Sequence, residues 1–397
     1  MTLSTPTSAA TIRDDFFLRR DWHLLNNGSF GACPKPVFEV YQHWQAEFEE
    51  HPGAFVGRWA ELMLAARTKL ADYLHTDQSR LAFVTNATMG VNVVTHSLRS
   101  WLKPGDEVLT TDHEYGACNH AWQFNCQKAG AHYINYPIAL PIHSDEDFIE
   151  RFWAGVTPRT RVIYLSHTTS PTALTFPLEE LCRRARAAGI LSVIDGAHVP
   201  AQRELFLDDL GADFYTGNLH KWANAPKGSA FLHARPEVQD LIEPLIVGHG
   251  WFPDKRSEKP LIDYVEQFGT RDLAAFLAVP AALDYMQAHD WPKVRARCHQ
   301  MGLATKQKVE QMFDTEAICP ETFEWFSQLC PIRLPDQTDM GKLSQILRNE
   351  YQIEMPMITW HNFKIARLSV QIYTTQEELD TFVGALEKHV PECLVQS

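Results

Sequence analysis

Three kinds of side chain stand where short apolar runs end, and together they could do chemistry. Lys221 lies between His220 and Trp222 in Gly217-Asn218-Leu219-His220-Lys221-Trp222, just after the strand-like run Asp213-Phe214-Tyr215-Thr216. Burial penalises an ammonium, so a lysine in such a place gains a usable amine and can form an imine. The competing reading is a lysine that snorkels from a strand end to water. Asp195 directly follows Ile190-Leu191-Ser192-Val193-Ile194. A carboxylate there needs a positive partner, or else it caps the turn Gly196-Ala197-His198. His167 and Ser170 follow the run 161–166 in the same way. Upstream, Thr85-Asn86-Ala87-Thr88 joins the apolar run 81–84 to a helical pattern over 89–102. Free N–H groups and partial positive charge at such a junction suit a phosphate; a plain cap by Asn86 or Thr88 is the alternative.

The elements that must position these residues alternate. Strands are expected at 81–84, 107–110, 132–136, 161–166, 190–194, 213–216 and 230–232, with helices at 89–102, 113–129, 148–156, 177–188 and 235–245 between or after them. That rhythm predicts an α/β unit with a largely parallel sheet, whose ligands sit outside the carboxyl ends of the strands. Helical patterns from Pro34 to Phe48 and over 58–74 precede it. After 272, one long helix carrying Phe276, Leu277, Pro280, Leu283 and Met286 is expected. It leads to an α+β unit with helices at 292–313, 340–351 and 376–389 and strands at 328–332 and 366–370. The expected division is an N-terminal segment, 1–25, packing with the small domain; a large cofactor-binding domain, 26–271; and a small C-terminal domain, 272–397. An amine, a carboxylate and a phosphate-binding helix start, in that setting, are what pyridoxal 5'-phosphate requires. Its aldehyde takes the amine, its ring nitrogen stays protonated beside the carboxylate, and its phosphate takes N–H donors.

Composition removes other classes. The 397 residues carry a net charge of −13, with 45% hydrophobic and 21% charged residues, so no basic footprint argues for nucleic acid or an anionic membrane. No apolar run approaches the roughly 20 residues that span a bilayer. The first fifteen residues have no basic-then-apolar signal pattern, and a cytoplasmic location is expected. Eight cysteines occur without a C-x-x-C pair, so neither a metal site nor a disulfide framework is expected. Nucleotide-binding glycine motifs in the right setting are also missing.

The set Thr85-Asn86-Ala87-Thr88, Asp195-Gly196-Ala197-His198 and Asn218-Leu219-His220-Lys221 resembles the class V aminotransferases of fold type I, over nearly the whole chain. That group includes cysteine desulfurases, kynureninases and isopenicillin-N epimerases. The motifs Leu25-Asn26-Asn27-Gly28-Ser29-Phe30-Gly31, Ser166-His167-Thr168-Thr169-Ser170-Pro171-Thr172 and Gly269-Thr270-Arg271-Asp272 are most similar to the epimerase-like branch. The resemblance implies a large domain with a mostly parallel seven-stranded sheet and a smaller α+β domain. It implies that Lys221 forms the internal aldimine and moves the Cα proton, that Asp195 meets the pyridinium nitrogen, and that His198 lies by the ring hydroxyl. Ala87 and Thr88, with Asn218 and His220, would hold the phosphate; Tyr115 would stack on the ring, and Ser170 would also touch the cofactor. Thr270 would reach the phosphate of a neighbouring subunit, which implies a homodimer with shared sites. Arg367 would bind the α-carboxylate of an amino-acid substrate, helped by Asn27, and Trp251, Phe252 and Trp360 are candidate pocket residues.

Departures from the family narrow the reaction. Between Tyr351 and Arg367 there is no cysteine, only Met355, Met357, Trp360 and His361 among the candidates, so transfer of sulfur through an enzyme persulfide is not expected. An epimerase needs a second acid or base beside Lys221, for which His167, His249 and His361 are candidates. The expectation is an enzyme acting at Cα of an amino acid or a derivative, most like isopenicillin-N epimerase. A C–S lyase or an aminotransferase of the same fold is the alternative, and a non-catalytic binding protein the remaining one.

Overall fold

The computed structural model describes residues 12–395. Seven strands form the main sheet: β2 (Leu81–Val84), β3 (Glu107–Thr111), β4 (His132–Tyr136), β5 (Thr160–Ser166), β6 (Leu191–Asp195), β7 (Phe214–Asn218) and β8 (Ala230–Ala234). Their order is β2-β8-β7-β6-β5-β3-β4, and only β8 runs against its neighbours. Helices cover both faces, so the inner strands are apolar on both sides instead of alternating with polar residues. Within β5, Ile163 and Leu165 enter one core while Val162 and Tyr164 enter the other. Parallel register aligns the strand ends: Ser166 faces Asp195, and Asp195 faces Thr216. The sequence therefore places its polar residues in one row at the carboxyl edge.

A second, three-stranded antiparallel sheet, β11-β12-β9, is built from β9 (Leu329–Leu334), β11 (Met357–Trp360) and β12 (Phe363–Ser369). Two-residue strands β1 (His23–Leu24) and β10 (Ile353–Glu354) pair in parallel. The start of the described chain lies against the C-terminal third through this pairing, through the Arg13–Glu378 ion pair at 2.6 Å and through Phe16 edge-on to Tyr373. The first eleven residues of the expected N-terminal segment lie outside the described residues.

Four local expectations need correction. The helix expected at 235–245 is only a 3-10 turn, Pro236–Leu241, because Pro244 has no N–H to continue it and restricts the residue before it. Between 246 and 271, where no element is expected, lies a helix, Pro260–Glu266, which opens on proline and buries Leu261, Tyr264 and Val265. The long helix expected after 272 is two, Ala274–Leu277 and Val279–Ala288, Pro280 lying in the first turn of the second. Strand β11, with only Trp360 buried, was not anticipated because it has too little apolar alternation to read as a strand.

Candidate active site

Lys221 follows the end of β7, and its loop is pinned from behind. Gly31, at φ +68, approaches so closely that a Cβ there would meet the carbonyl oxygen of His220 at 1.8 Å. Asn27 donates from Nδ2 to the Lys221 carbonyl at 3.1 Å and accepts from the Tyr373 hydroxyl at 3.0 Å. These contacts fix the backbone while the side chain enters a cavity of about 390 Å³. Ala87, Thr88, Tyr115, Ser170, Asp195, His198, Asn218, His220 and Arg367 line that same cavity. Burial pulls the Lys221 ammonium down to about 8, and the Asp195 charge offsets part of that pull. Its Nζ lies 3.3 Å from Nε2 of His198, whose own proton affinity burial and the neighbouring Lys221 hold well below the ordinary range.

Asp195 ends β6 and is buried. Its Oδ1 accepts the Ala197 N–H at 2.9 Å, and no cationic side chain among the described residues comes within salt-bridge distance of it. Burial raises its proton affinity; the Ala197 N–H and the Lys221 charge pull it back. A cation brought to this carboxylate would relieve a cost that the protein leaves standing.

At the other end, the helix Ala87–Trp101 starts on the cavity wall, where its macrodipole favours an anion. Asn86 caps it by accepting the Met89 N–H at 2.8 Å, and Asn218 accepts the Ala87 N–H at 2.8 Å. The Ala87 N–H is thus engaged within the protein, and Asn218 acts first as a builder of the helix start. His220 donates from Nδ1 to the Ser229 carbonyl at 3.1 Å, which leaves Nε2 for the cavity. Burial pulls this imidazole down to about 4, so it is neutral.

Arg367, on β12, is the remaining wall. Its Nη1 donates to the Ser170 carbonyl at 2.5 Å and hydroxyl at 3.0 Å, and Nη2 to the Ser29 hydroxyl at 3.2 Å. Its Nε is buried without a partner, and no carboxylate among the described residues bridges to it. Burial pulls it down to about 10. The surface ion pair that a strand-borne arginine could have made is not formed. A guanidinium so placed is ready for a ligand carboxylate.

The residues present fit pyridoxal phosphate. An amine of lowered proton affinity, a cation-free carboxylate and a helix start with a free imidazole nitrogen line one cavity, together with a half-exposed tyrosine ring, Tyr115. The aminotransferase class-V family model matches residues 34–382. The chain belongs to the aminotransferase class-V family. It is 32% identical to the isopenicillin N epimerase of Amycolatopsis lactamdurans, across 96% of this chain and 98% of that one. It is 26% identical to a probable chloroplastic L-cysteine desulfhydrase of Arabidopsis thaliana, across 90% and 81%. A solved variant of the protein C-DES, with glycine covalently linked to its PLP cofactor, superposes with a TM-score of 0.79 at 20% identity, covering 95% of this chain and 99% of that one. This class-V family member is therefore a pyridoxal-phosphate enzyme of fold type I.

Not every expected residue joins the cavity of this class-V enzyme. Asn27 is fully buried behind Lys221, and its neighbours Gly28, Ser29 and Phe30 form the wall in its place. Thr270 lines a second cavity of about 500 Å³ with Trp59, Met63, His249 and Glu266. His167 faces the Tyr215 hydroxyl at 3.1 Å in the core, and His361 faces Asp112 at 3.0 Å on the surface. Trp360 donates to the Asp112 carbonyl at 3.2 Å and packs on His113; Trp251 and Phe252 are exposed outside the Lys221 cavity. None of the three candidate histidines for a second acid or base, at 167, 249 and 361, lines the wall beside Lys221. Several neighbours of the site were missed. Glu114 accepts from the Ser166 N–H and hydroxyl and from Thr111, and burial pushes it up to about 8. Cys118 and Tyr164 donate to Asp195. Cys118 lies three residues beyond Tyr115 at the start of a helix, and Tyr164 shares the sheet face of Ser166, so helix and strand periodicity contained the signal.

Proposed function

We propose that the enzyme removes the Cα proton of an amino acid or amino-acid derivative and returns it with inverted configuration, as the name of its Amycolatopsis relative describes. The observation that carries this reading is the convergence of Lys221, Asp195 and Arg367 on one cavity, each lacking an oppositely charged bridge partner among the described residues. Bound pyridoxal phosphate supplies an electrophilic carbon and an electron-withdrawing ring that acidifies the Cα–H bond. Arg367, braced by Ser29 and Ser170, holds the substrate carboxylate. Lys221 would hold the cofactor through its amine and would move the proton at Cα, a task that suits an amine of lowered proton affinity. Asp195 would hold the ring nitrogen, and His198 would lie by the ring hydroxyl. Thr88, Asn218 and His220 would take the phosphate, with Ala87 contributing as part of the helix start, and Tyr115 would cover the ring.

A second reading is β-elimination by a C–S lyase, or transamination. It is favoured by the lack of any of those three histidines in the cavity wall, since these reactions can proceed with Lys221 as the only base. Incubating the holoenzyme with candidate amino acids in heavy water separates the outcomes. Deuterium at Cα with both configurations recovered supports epimerisation, pyruvate or sulfide supports elimination, and a 2-oxo acid supports transamination. Failure of every substrate to exchange its Cα proton, with cofactor bound, would overturn both readings.

The chain division 1–25, 26–271 and 272–397, the homodimer and a cytoplasmic location belong to the same proposal. Thr270 lies outside the Lys221 cavity of its own chain, so a role for it at a cofactor phosphate requires a second copy. Exposed Ile246, Val247, Trp251 and Phe252 are apolar surface near it in sequence, suited to such a contact. Eight free thiols suit a reducing compartment. No helix among the described residues is long and apolar enough to cross a membrane. Sedimentation of the holoenzyme tests the dimer; a monomer with full activity would end the shared-site reading.

A further inference from the structure

Behind the cavity, Asp195 is met by donors from two other elements. The Cys118 thiol, on the helix Gly116–Ala129, donates to Oδ2 at 3.4 Å, and the Tyr164 hydroxyl, on β5, donates to the same oxygen at 3.3 Å. With the Ala197 N–H on Oδ1, three donors converge on a carboxylate that has no cation within bridging distance among the described residues. Both side chains are fully buried and contribute to one core, together with Val193 of β6 and Trp122. Burial and the Asp195 charge keep the thiol and the phenol protonated well beyond their ordinary ranges, so each is held as a donor. The other charged or titratable groups facing this corner are Glu114, Tyr133, Tyr215 and Lys221, and none of them makes a hydrogen bond to Asp195.

A hydrogen bond donated to an ionised carboxylate stabilises the ionised form. Where a ring nitrogen and a carboxylate share one proton, weakening the carboxylate as a base leaves the proton on the nitrogen. We propose that Cys118 and Tyr164 are positioning residues that act through Asp195: their two hydrogen bonds keep its carboxylate ionised and so keep the proton on the ring nitrogen of the bound cofactor. The inference rests on the reading that Asp195 meets that nitrogen. It assigns the Cys118 thiol the part of a donor and not of a nucleophile, which agrees with its complete burial.

The test is nuclear magnetic resonance of the holoenzyme loaded with pyridoxal phosphate carrying the heavy nitrogen isotope in its ring, since the nitrogen shift reports whether the ring is protonated. The wild type should give the protonated signal. Asp195→Asn should move it to the unprotonated position. Cys118→Ala combined with Tyr164→Phe should move it most of the way, each single variant part of the way, and Cys118→Ser, which keeps a donor, hardly at all. If Asp195→Asn moves the signal while the double variant keeps the wild-type position, the inference fails and the Asp195 reading survives. Cys118→Ser moving as far as Cys118→Ala would reduce the effect to packing and also overturn it. If Asp195→Asn moves nothing, the Asp195 reading itself fails and takes the inference with it. Should the double variant not fold, Tyr164→Phe alone removes one hydroxyl at constant shape, and an unmoved signal there and in Cys118→Ala counts against the proposal.

Discussion

Lys221 and Lys306 are both enclosed lysines, and the protein moves them in opposite directions. Lys306, on the helix Trp291–Phe313, is fully buried, bonded to Glu310 one turn on and to Glu321 at 3.0 Å. Burial pulls its ammonium down, but the two carboxylates outweigh that and hold it above the ordinary range. Lys221 has no carboxylate within bridging distance among the described residues; its near neighbour is a neutral imidazole, and burial wins. Burial alone therefore does not make a reactive lysine. What distinguishes the active-site residue is the lack of a carboxylate at bridging distance, which brings the amine's titration down to about 8.

Removing each lysine should break the comparison in a different property. Lys221→Ala should lower Cα-proton exchange by roughly 10³- to 10⁴-fold, the upper part of what a positioned general base contributes. Borohydride should no longer attach the cofactor to the chain, as peptide mass spectrometry of the treated protein would show. Urea unfolding should show no loss of stability, because the side chain makes no ion pair. Lys306→Met should do the reverse. It leaves Glu310 buried and uncompensated, and the unfolding free energy should fall by about 3–5 kcal/mol. Attachment of cofactor to Lys221 should survive below the unfolding transition. A Lys306→Met protein as stable as the wild type would show that the buried cluster is neutral on balance.

How much of this contrast was legible in the sequence depended on what each residue needed. Lys221, Asp195 and the Asn86–Thr88 turn could be read because each follows an apolar strand, and a parallel sheet collects strand ends along one edge. Arg367 was placed only through the family resemblance, because an arginine on a strand of the smaller sheet carries no local sign of the cavity it will face. Lys306 could not, although Glu310 stands four residues on: at that spacing a lysine and a glutamate look like an ordinary exposed helix pair. Only the docking of the helix against β9 and the loop bearing Glu321 buries it, and no local pattern encodes that packing. Asn27 was misjudged for a related reason. A polar residue in a glycine-containing turn reads as a ligand contact, whereas here its amide clamps the Lys221 and Tyr373 segments together.

Arg367 extends the comparison to a second cation without a carboxylate. If its open Nε and its braced Nη groups await a substrate carboxylate, Arg367→Lys should raise KM for the amino acid by roughly 10- to 100-fold, the range for losing a charged hydrogen bond. Steady-state kinetics should show kcat less affected. An equal loss in kcat with unchanged KM would point to a role only in the transition state.

The smallest effect is the most direct measure of the missing counter-charge. Uptake of pyridoxal phosphate by the apoenzyme requires the neutral Lys221 amine, so its initial rate should rise with pH and level off past about 8, where an unshifted lysine would keep rising to 10.5. Asp195→Asn removes the charge that raises Lys221 and should move this midpoint below that of the wild type. Stability should carry the opposite signatures of the two lysines. Between about 8 and 10.5 the unfolded chain binds more protons at position 221 than the folded one, so this residue makes stability rise with pH. Lys306 is raised, so its contribution is complete below 10.5 and is lost as pH climbs through its higher folded value. Comparing urea midpoints of the wild type with Lys221→Met across that window isolates the first slope. If the substitution leaves the slope unchanged, Lys221 is not shifted in the folded protein, and its likeness to an ordinary surface lysine would stand.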